Sequence, residues 1–336
     1  MKTIDVLFSQ GQLSKMQAKK FVTDILDQSI SDAEVSAVLG VLRYKQESSE
    51  EVTGFCEALL SDVKGLTAPV DALDMCGTGG DSMATFNIST AAALLVSSIG
   101  VPVAKHGNRK VSSRCGSADV LEVMGIPIQS NMAESRRQLE QCGFTFLFAP
   151  NFHPGFSRVK QVREQLGTRT VFNMLGPLLN PLRPKFQVVG VFSPNKLDLM
   201  ANSLQHMGAQ RAIVVSSESG MDEFALHEPS HYRIVTPTEV RSGVFDPRRI
   251  LPDPPSLDSL RGGCAQQNAD ILQRLPENTD SPAAQVVCLN AAAGLFAYGL
   301  CPSIEEGYRQ SQKALRTGRY MRQLQRLRGD YAQSVG

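Results

Sequence analysis

Residues Asp74–Asp119 read DMCGTGGDSMATFNISTAAALLVSSIGVPVAKHGNRKVSSRCGSAD, and the rest of the chain is organised around them. The stretch holds two polar loops, each following a short apolar run of strand character and each leading towards a helix. In the first, Gly77, Gly79 and Gly80 strip side chains from the backbone before a helix expected to start near Asn87. Several peptide N–H groups can therefore face a phosphate. Ser89 and Thr90 add hydroxyls at that positive helix end. In the second, Lys105, His106, Asn108, Arg109, Lys110, Ser112, Ser113 and Arg114 crowd around Gly107. Point charges, a planar guanidinium and neutral donors together suit a polyanion carrying ribose hydroxyls.

Neither loop is a standard nucleotide motif. The GKS/T ending of a P-loop is missing, and Gly77, Gly79 and Gly80 do not give the spacing G-x-G-x-x-G. A glycine-rich turn alone is an ordinary strand-to-helix connection. Two polar loops at equivalent strand ends carry more, because ligands of open α/β sheets collect at the carboxyl ends of the strands.

Upstream, residues 1 to about 65 read as helical, with capping boxes at Ser14/Gln17, Ser31/Glu34 and Ser48/Glu51. Apolar residues follow at helical spacing, for example Phe21 and Ile25, then Val35, Val38, Leu39 and Leu42. Gly65–Pro69 reads as a linker. From Ala72 the pattern alternates, with strands expected at Ala72–Cys76, Val101–Ala104, Phe144–Phe148, Phe186–Phe192 and Ala212–Ser216. Between two of them a helix is punctuated by Asn131 with Glu134 at its start and Gly143 at its end. Alternation of this kind predicts a mostly parallel sheet flanked by helices. Asn151–Pro184 interrupts it with a Pro- and Gly-punctuated stretch rich in Arg, and Asp246–Pro255 reads as an irregular loop. Later helices start at Ser281–Pro282 and at Ser303 with Glu306, and the basic residues of Lys313–Arg328 read as a solvated helix face.

With 336 residues, 42% of them hydrophobic, the chain can bury cores for two domains. A net charge of +1 gives no nucleic-acid or membrane signature, and no apolar run is long enough to span a bilayer. Seven scattered cysteines without a CxxC, behind an N-terminus lacking an apolar leader, predict a reduced, cytoplasmic protein.

The sequence resembles the anthranilate phosphoribosyltransferases of tryptophan biosynthesis. The resemblance rests on GTGGD (Gly77–Asp81), TFNIST (Thr85–Thr90), KHGNR (Lys105–Arg109), VSSRCGSAD (Val111–Asp119), VREQLGTRTVFNMLGPLLNP (Val162–Pro181) and GMDE (Gly220–Glu223), in the family's order. Beyond Pro237 the match is thin. The resemblance implies a helical domain over 1–68 and an α/β domain over 69–336, with residues 155–185 packing back onto the former. It further implies transfer of the 5-phosphoribosyl group from phosphoribosyl pyrophosphate (PRPP) to the amine of anthranilate, Mg²⁺ as cofactor, and a homodimer formed through the helical domain.

The loops and the resemblance together assign PRPP contacts to Gly77, Gly79, Gly80, Asp81, Thr85, Asn87, Ile88, Ser89, Thr90, Lys105, His106, Gly107, Asn108, Arg109, Ser112, Ser113 and Ser117. Anthranilate contacts fall to Gly77, Asn108, His153, Arg163, Gly176 and Pro177, and the metal to Ser89, Asp222 and Glu223. Arg163 suits the carboxylate because a guanidinium binds both oxygens, although nothing in the spacing separates it from Arg169. Anthranilate's amine is neutral at pH 7, so positioning and leaving-group stabilisation outweigh general-base catalysis, and no strong base is expected; His106 and His153, in segments that match the family, are candidates to line the aromatic acid or to orient its amine. Ser82 stands where the family generally has glycine, which restricts the loop. A pyrimidine nucleoside phosphorylase of the same fold and a non-catalytic, nucleic-acid-binding relative are the alternatives; retention of GMDE and of the Arg163 segment argues against the first, and retention of Gly77–Asp81, Lys105–Asn108 and Asp222–Glu223 against the second.

Overall fold

The first sixty residues bury one stripe of each helix, as their spacing requires. In the computed structural model, which describes residues 2–61, 63, 68–110, 115–128 and 131–329, they form α1 (Thr3–Gln10), α2 (Lys15–Leu26), α3 (Asp32–Lys45) and α4 (Ser49–Ser61). Each expected cap is made: the hydroxyls of Ser14, Ser31 and Ser48 accept from the backbone N–H of Gln17, Glu34 and Glu51. Of the expected linker Gly65–Pro69, Ala68 and Pro69 are described, and its other members lie outside the described residues.

The larger domain runs β1 (Leu73–Gly77), α5 (Ile88–Ile99), β2 (Val103–Gly107), α6 (Ser117–Val123), α7 (Met132–Cys142), β3 (Phe144–Phe148), α8 (Ala149–Phe152), α9 (Lys160–Leu166), β4 (Phe186–Gly190), α10 (Leu197–His206), β5 (Arg211–Ser217), β6 (Ser230–Val235) and β7 (Val240–Phe245). It closes with α11 (Ala265–Arg274), α12 (Pro282–Tyr298), α13 (Ile304–Arg316) and α14 (Arg319–Gly329). The seven strands form one sheet in the order β3-β2-β1-β4-β5-β6-β7. The first five are parallel, as the alternation predicted, and β6 and β7 add an antiparallel edge. That hairpin escaped the sequence reading, although Tyr232 and Ile234 alternate with polar neighbours on β6.

Because side chains alternate across a strand, β4 and β5 serve two cores. Val188, Ile213 and Val215 join a cluster with α5 and α12, while Val189, Ala212 and Val214 join α10 and the helical domain. The crossing stretch contributes Val159, Val162, Val171, Phe172, Leu175 and Leu178 to that second cluster, beside Phe21 and Phe55. Both faces of the central strands are therefore buried, and polar chemistry is displaced to their carboxyl ends. There β1 and β4 finish side by side, with Gly77 paired to Gly190.

Candidate active site

At those two glycines a third segment lies almost in contact with the sheet. A Cβ at Gly190 would overlap the carbonyl oxygen of Asp222, and one at Gly77 would overlap its carboxylate, so only glycine admits the segment here. The backbone N–H of Gly79 donates to Asp222 Oδ2 at 2.7 Å, and that of Ser89, in the first turn of α5, donates to Glu223 Oε1 at 3.0 Å. Asn87 occupies the N-cap position without capping; its amide instead donates to the Cys115 carbonyl and accepts from Asn268 Nδ2. The first polar loop, the start of α5 and the GMDE segment thus form one assembly. Ser82 has φ 65°, a left-handed conformation that costs a non-glycine residue about 1 kcal/mol, which bears out the restriction read from the sequence.

Lys105, held at the Ser89 hydroxyl, offsets the charge of Glu223 only in part, and burial outweighs it. Burial, aggravated by the neighbouring Asp81, pushes the Asp222 carboxyl up to about 7. Glu223 is raised well above the ordinary carboxylate range by burial first and by Asp222 second. Groups of three or more His, Cys, Asp or Glu arranged to hold a metal are absent among the described residues. A carboxylate pair beside a glycine loop and a helix start fits Mg²⁺, which keeps several waters and needs only a few protein oxygens.

The second loop departs from expectation at its start. β2 begins at Val103 and runs three residues past Ala104, so Lys105 and His106 are strand residues, 1% and 3% exposed, not members of an open polar loop. The sheet tolerates them because each finds a partner: Lys105 Nζ donates to the Met75 carbonyl and to Ser89 Oγ, and His106 Nδ1 lies 3.1 Å from the Gly176 carbonyl. A carbonyl only accepts, so Nδ1 carries the proton and Nε2 a lone pair, buried and without a partner among the described residues. The His153 ring stands edge-on to His106 at 5.5 Å, and its Nε2 meets the Leu179 carbonyl.

Beneath both, Asp74 accepts from the His106 N–H and from Asn180 Nδ2, and Asn180 also donates to the Ala104 carbonyl. His106, His153, Gly176 and the segment around Pro177 are thereby brought together. Asn108 accepts from Ser117 Oγ through its carbonyl, whereas Arg109 is occupied by Asp119 and Glu122 and lies over the Phe148 ring. Ser112, Ser113 and Arg114 lie outside the described residues. In the first loop Asp81 accepts from the Met83 N–H, Thr85 bridges to Arg261, Ile88 is fully buried, and the buried Thr90 hydroxyl has no partner among the described residues.

The crossing stretch separates its two arginines. Arg169 donates to the Gly80 carbonyl and stacks on Phe192 at 4.2 Å, tying the stretch to the glycine loop. Arg163, on α9, is partly buried, and its guanidinium makes no hydrogen bond or ion pair among the described residues. Burial lowers its pKa, the mark of a guanidinium held without a counter-ion.

Comparison with known proteins places this architecture. The helical bundle domain of the "Glycosyl transferase family" matches residues 2–62 and its a/b domain residues 69–321. An anthranilate phosphoribosyltransferase of Syntrophomonas wolfei is 41% identical over 303 residues, covering 90% of this chain and 89% of the relative. That of Idiomarina loihiensis is 40% identical over 334 residues, 97% of both chains. The crystal structure of the Thermus thermophilus enzyme superposes with a TM-score of 0.89 at 35% identity, covering 97% of this chain and 98% of that one. The chain belongs to the anthranilate phosphoribosyltransferase family. The family match runs to residue 321, far past Pro237, where the sequence reading had found it thin. Another solved member, from Saccharomyces cerevisiae in complex with PRPP and Mg, has a TM-score of 0.87 at 25% identity, over 99% and 97% of the two chains.

The pairing of Arg169 with Gly80, the Asp74–Asn180 network and the orphaned atoms of Thr90 and His106 carry no sequence signal of their own. His106 gives the family site a measurable pH signature. Burial, then the neighbouring His153, lowers its pKa from 6.5 to about 3. The unfolded imidazole therefore takes a proton first: the contribution of His106 to stability is intact above pH 6.5 and drains away as pH falls towards 3. His106→Gln, which removes the titration, is expected to flatten the fall of Tm between pH 6.5 and 4; an equally steep fall in the variant would refute this account.

Proposed function

We propose that this chain transfers the 5-phosphoribosyl group of PRPP to the amine of anthranilate, giving N-(5-phosphoribosyl)anthranilate and pyrophosphate in tryptophan biosynthesis. One observation carries the reading: the N–H groups of a glycine loop and a helix start are held against the carboxylates of Asp222 and Glu223. Acids would repel a diphosphate from that loop, so the two share a site only across a divalent cation.

The residues take roles that follow from their placement. Backbone around Gly77, Gly79 and Gly80 and the hydroxyls at the start of α5 receive phosphate oxygens, with the Thr90 hydroxyl still to be partnered. Asp222 and Glu223, with Ser89 beside them, hold Mg²⁺. When bound, the cation supplies positive charge to the departing pyrophosphate. Arg163 binds the anthranilate carboxylate in a fork, and Pro177 with Gly176 lines the ring. His106 Nε2 accepts an N–H from the amine and aims its lone pair at the anomeric carbon. With a pKa of about 3 this imidazole is too weak a base to deprotonate the amine, so it orients.

Phe8, Met16 and Tyr44, 74%, 80% and 91% exposed on the helical domain, are apolar side chains that a second copy could cover. A homodimer through that domain would show twice the 36.5 kDa chain mass in sedimentation equilibrium. A cytoplasmic location fits seven cysteines spaced without any CxxC.

The test is the loss of anthranilate fluorescence on adding PRPP and Mg²⁺, unobscured because the chain has no Trp. Decay that requires both additions supports the reading. Phosphorolysis of thymidine or uridine with no use of anthranilate would replace it with a nucleoside phosphorylase.

A further inference from the structure

The acidic pair sits on a stretch of backbone that cannot support itself. Met221–Leu226 belongs to no helix or strand, yet Met221, Phe224, Ala225 and Leu226 are fully buried. Every polar backbone group there must find a partner outside the segment's own pattern, since an unmet buried amide or carbonyl costs about 1–3 kcal/mol. The N–H of Met221 donates to Ser217 Oγ at 3.0 Å, and that of Ala225 to Ser230 Oγ at 2.9 Å. Phe224, the residue directly after Glu223, is held on both sides by one side chain: its N–H donates to Asn290 Oδ1 at 2.9 Å, and its carbonyl accepts from Asn290 Nδ2 at 3.0 Å.

Asn290 lies in the middle of α12, 3% exposed, in the run VVCLNAAAGLF. An Asn there is costly for a helix and costlier for a core, unless its amide is satisfied. Phe224 and the Val286 carbonyl, at 3.0 Å, satisfy it. Its position also fits the task, because Asn290 lines the same small cavity as Ser89, Asp222 and Glu223.

We propose that Asn290 is a positioning residue for the carboxylates of Asp222 and Glu223, fixing the spot at which the site takes its divalent cation. This rests on the reading that the two acids bind Mg²⁺. The mechanism is geometric. With Asn290 truncated, the two peptides flanking Phe224 lose their partners at once, and the Glu223–Phe224 peptide must turn to find another, carrying the Glu223 Cα with it. Mg²⁺ demands near-ideal octahedral geometry, so a displacement of a fraction of an ångström weakens its binding. Asn290 itself does not touch substrate.

The experiment uses the full chain and reads Mn²⁺ binding in the presence of PRPP by electron paramagnetic resonance, which needs no turnover. Asn290→Leu should weaken Mn²⁺ binding by about tenfold to a hundredfold, the usual effect of removing an outer partner of a metal site. The Mg²⁺ concentration for half-maximal activity should rise in parallel while the KM for anthranilate moves less than about twofold, since α9 is untouched. Asn290→Asp, which keeps the acceptor for the Phe224 N–H and loses the donor, should fall between wild type and Asn290→Leu and guards against a variant that fails to fold. Ser230→Ala removes a neighbouring bond of the same segment without loosening Glu223, and should lower Tm with Mn²⁺ binding kept. Wild-type Mn²⁺ affinity in folded Asn290→Leu or Asn290→Asp would overturn the proposal. Wild-type Mn²⁺ affinity in Asp222→Asn/Glu223→Gln would instead overturn the metal reading beneath it.

Discussion

The Asp222→Asn/Glu223→Gln variant is expected to lose PRPP- and Mg²⁺-dependent consumption of anthranilate by about a thousandfold or more, because the several kcal/mol of charge stabilisation that a bound cation gives its leaving group go with the two carboxylates. Its stability should move the other way. Both carboxyls are held above their ordinary range by burial, so at pH 7 folding works against the ionised form that the unfolded chain prefers. The amides keep the shape and still accept from the N–H groups of Gly79 and Ser89. A variant with wild-type or raised Tm and no turnover is the expected outcome; full turnover at low Mg²⁺ would remove these residues from the chemistry.

Arg163→Ala is expected to raise the KM for anthranilate by about a hundredfold, about 3 kcal/mol, the range found when one partner of a desolvated charge pair is truncated. The KM for PRPP should change by less than about threefold, because Arg163 lies on α9 and has no described contact with the glycine loop. Arg163→Lys should recover only part of the loss, since a point charge cannot fork onto two carboxylate oxygens. As a guanidinium with no counter-ion among the described residues, Arg163 contributes little to the fold, and Tm should hold. An equal loss for both substrates would place Arg163 in the scaffold. Arg169→Ala provides the contrast: its bond to Gly80 and its stacking on Phe192 belong to the PRPP side.

The parts of this site that were legible in sequence are those whose signal is local. Glycines before a helix, Ser and Asn caps, and the run Phe144–Phe148, which β3 matches at both ends, report backbone preferences that the fold then keeps. Residues whose meaning depends on a distant partner were not legible. Lys105 and His106 look like loop residues because they are polar; they sit inside β2 because the Met75 and Gly176 carbonyls, from elsewhere in the chain, receive them. Asn290 reads as a weak point in an apolar helix until Phe224 is seen against it. Arg163 and Arg169, equivalent by spacing, separate only when one of them is found tied to the glycine loop.

The sharing of one core between the helical domain and the later segments also governs the order in which the chain can become stable. α1–α4 are made before the α/β domain, but part of the apolar surface that covers them comes from Val159, Phe172, Leu175, Val189, Met200 and Val214. Until those residues have been made, Phe21 and Phe55 have each other, but the side of Phe55 that meets Phe172 stays uncovered. Contacts so distant along the chain form slowly, and apolar surface that waits for them is open to association with other nascent chains. The helical domain is made before the segments that complete its core, and it consolidates with them.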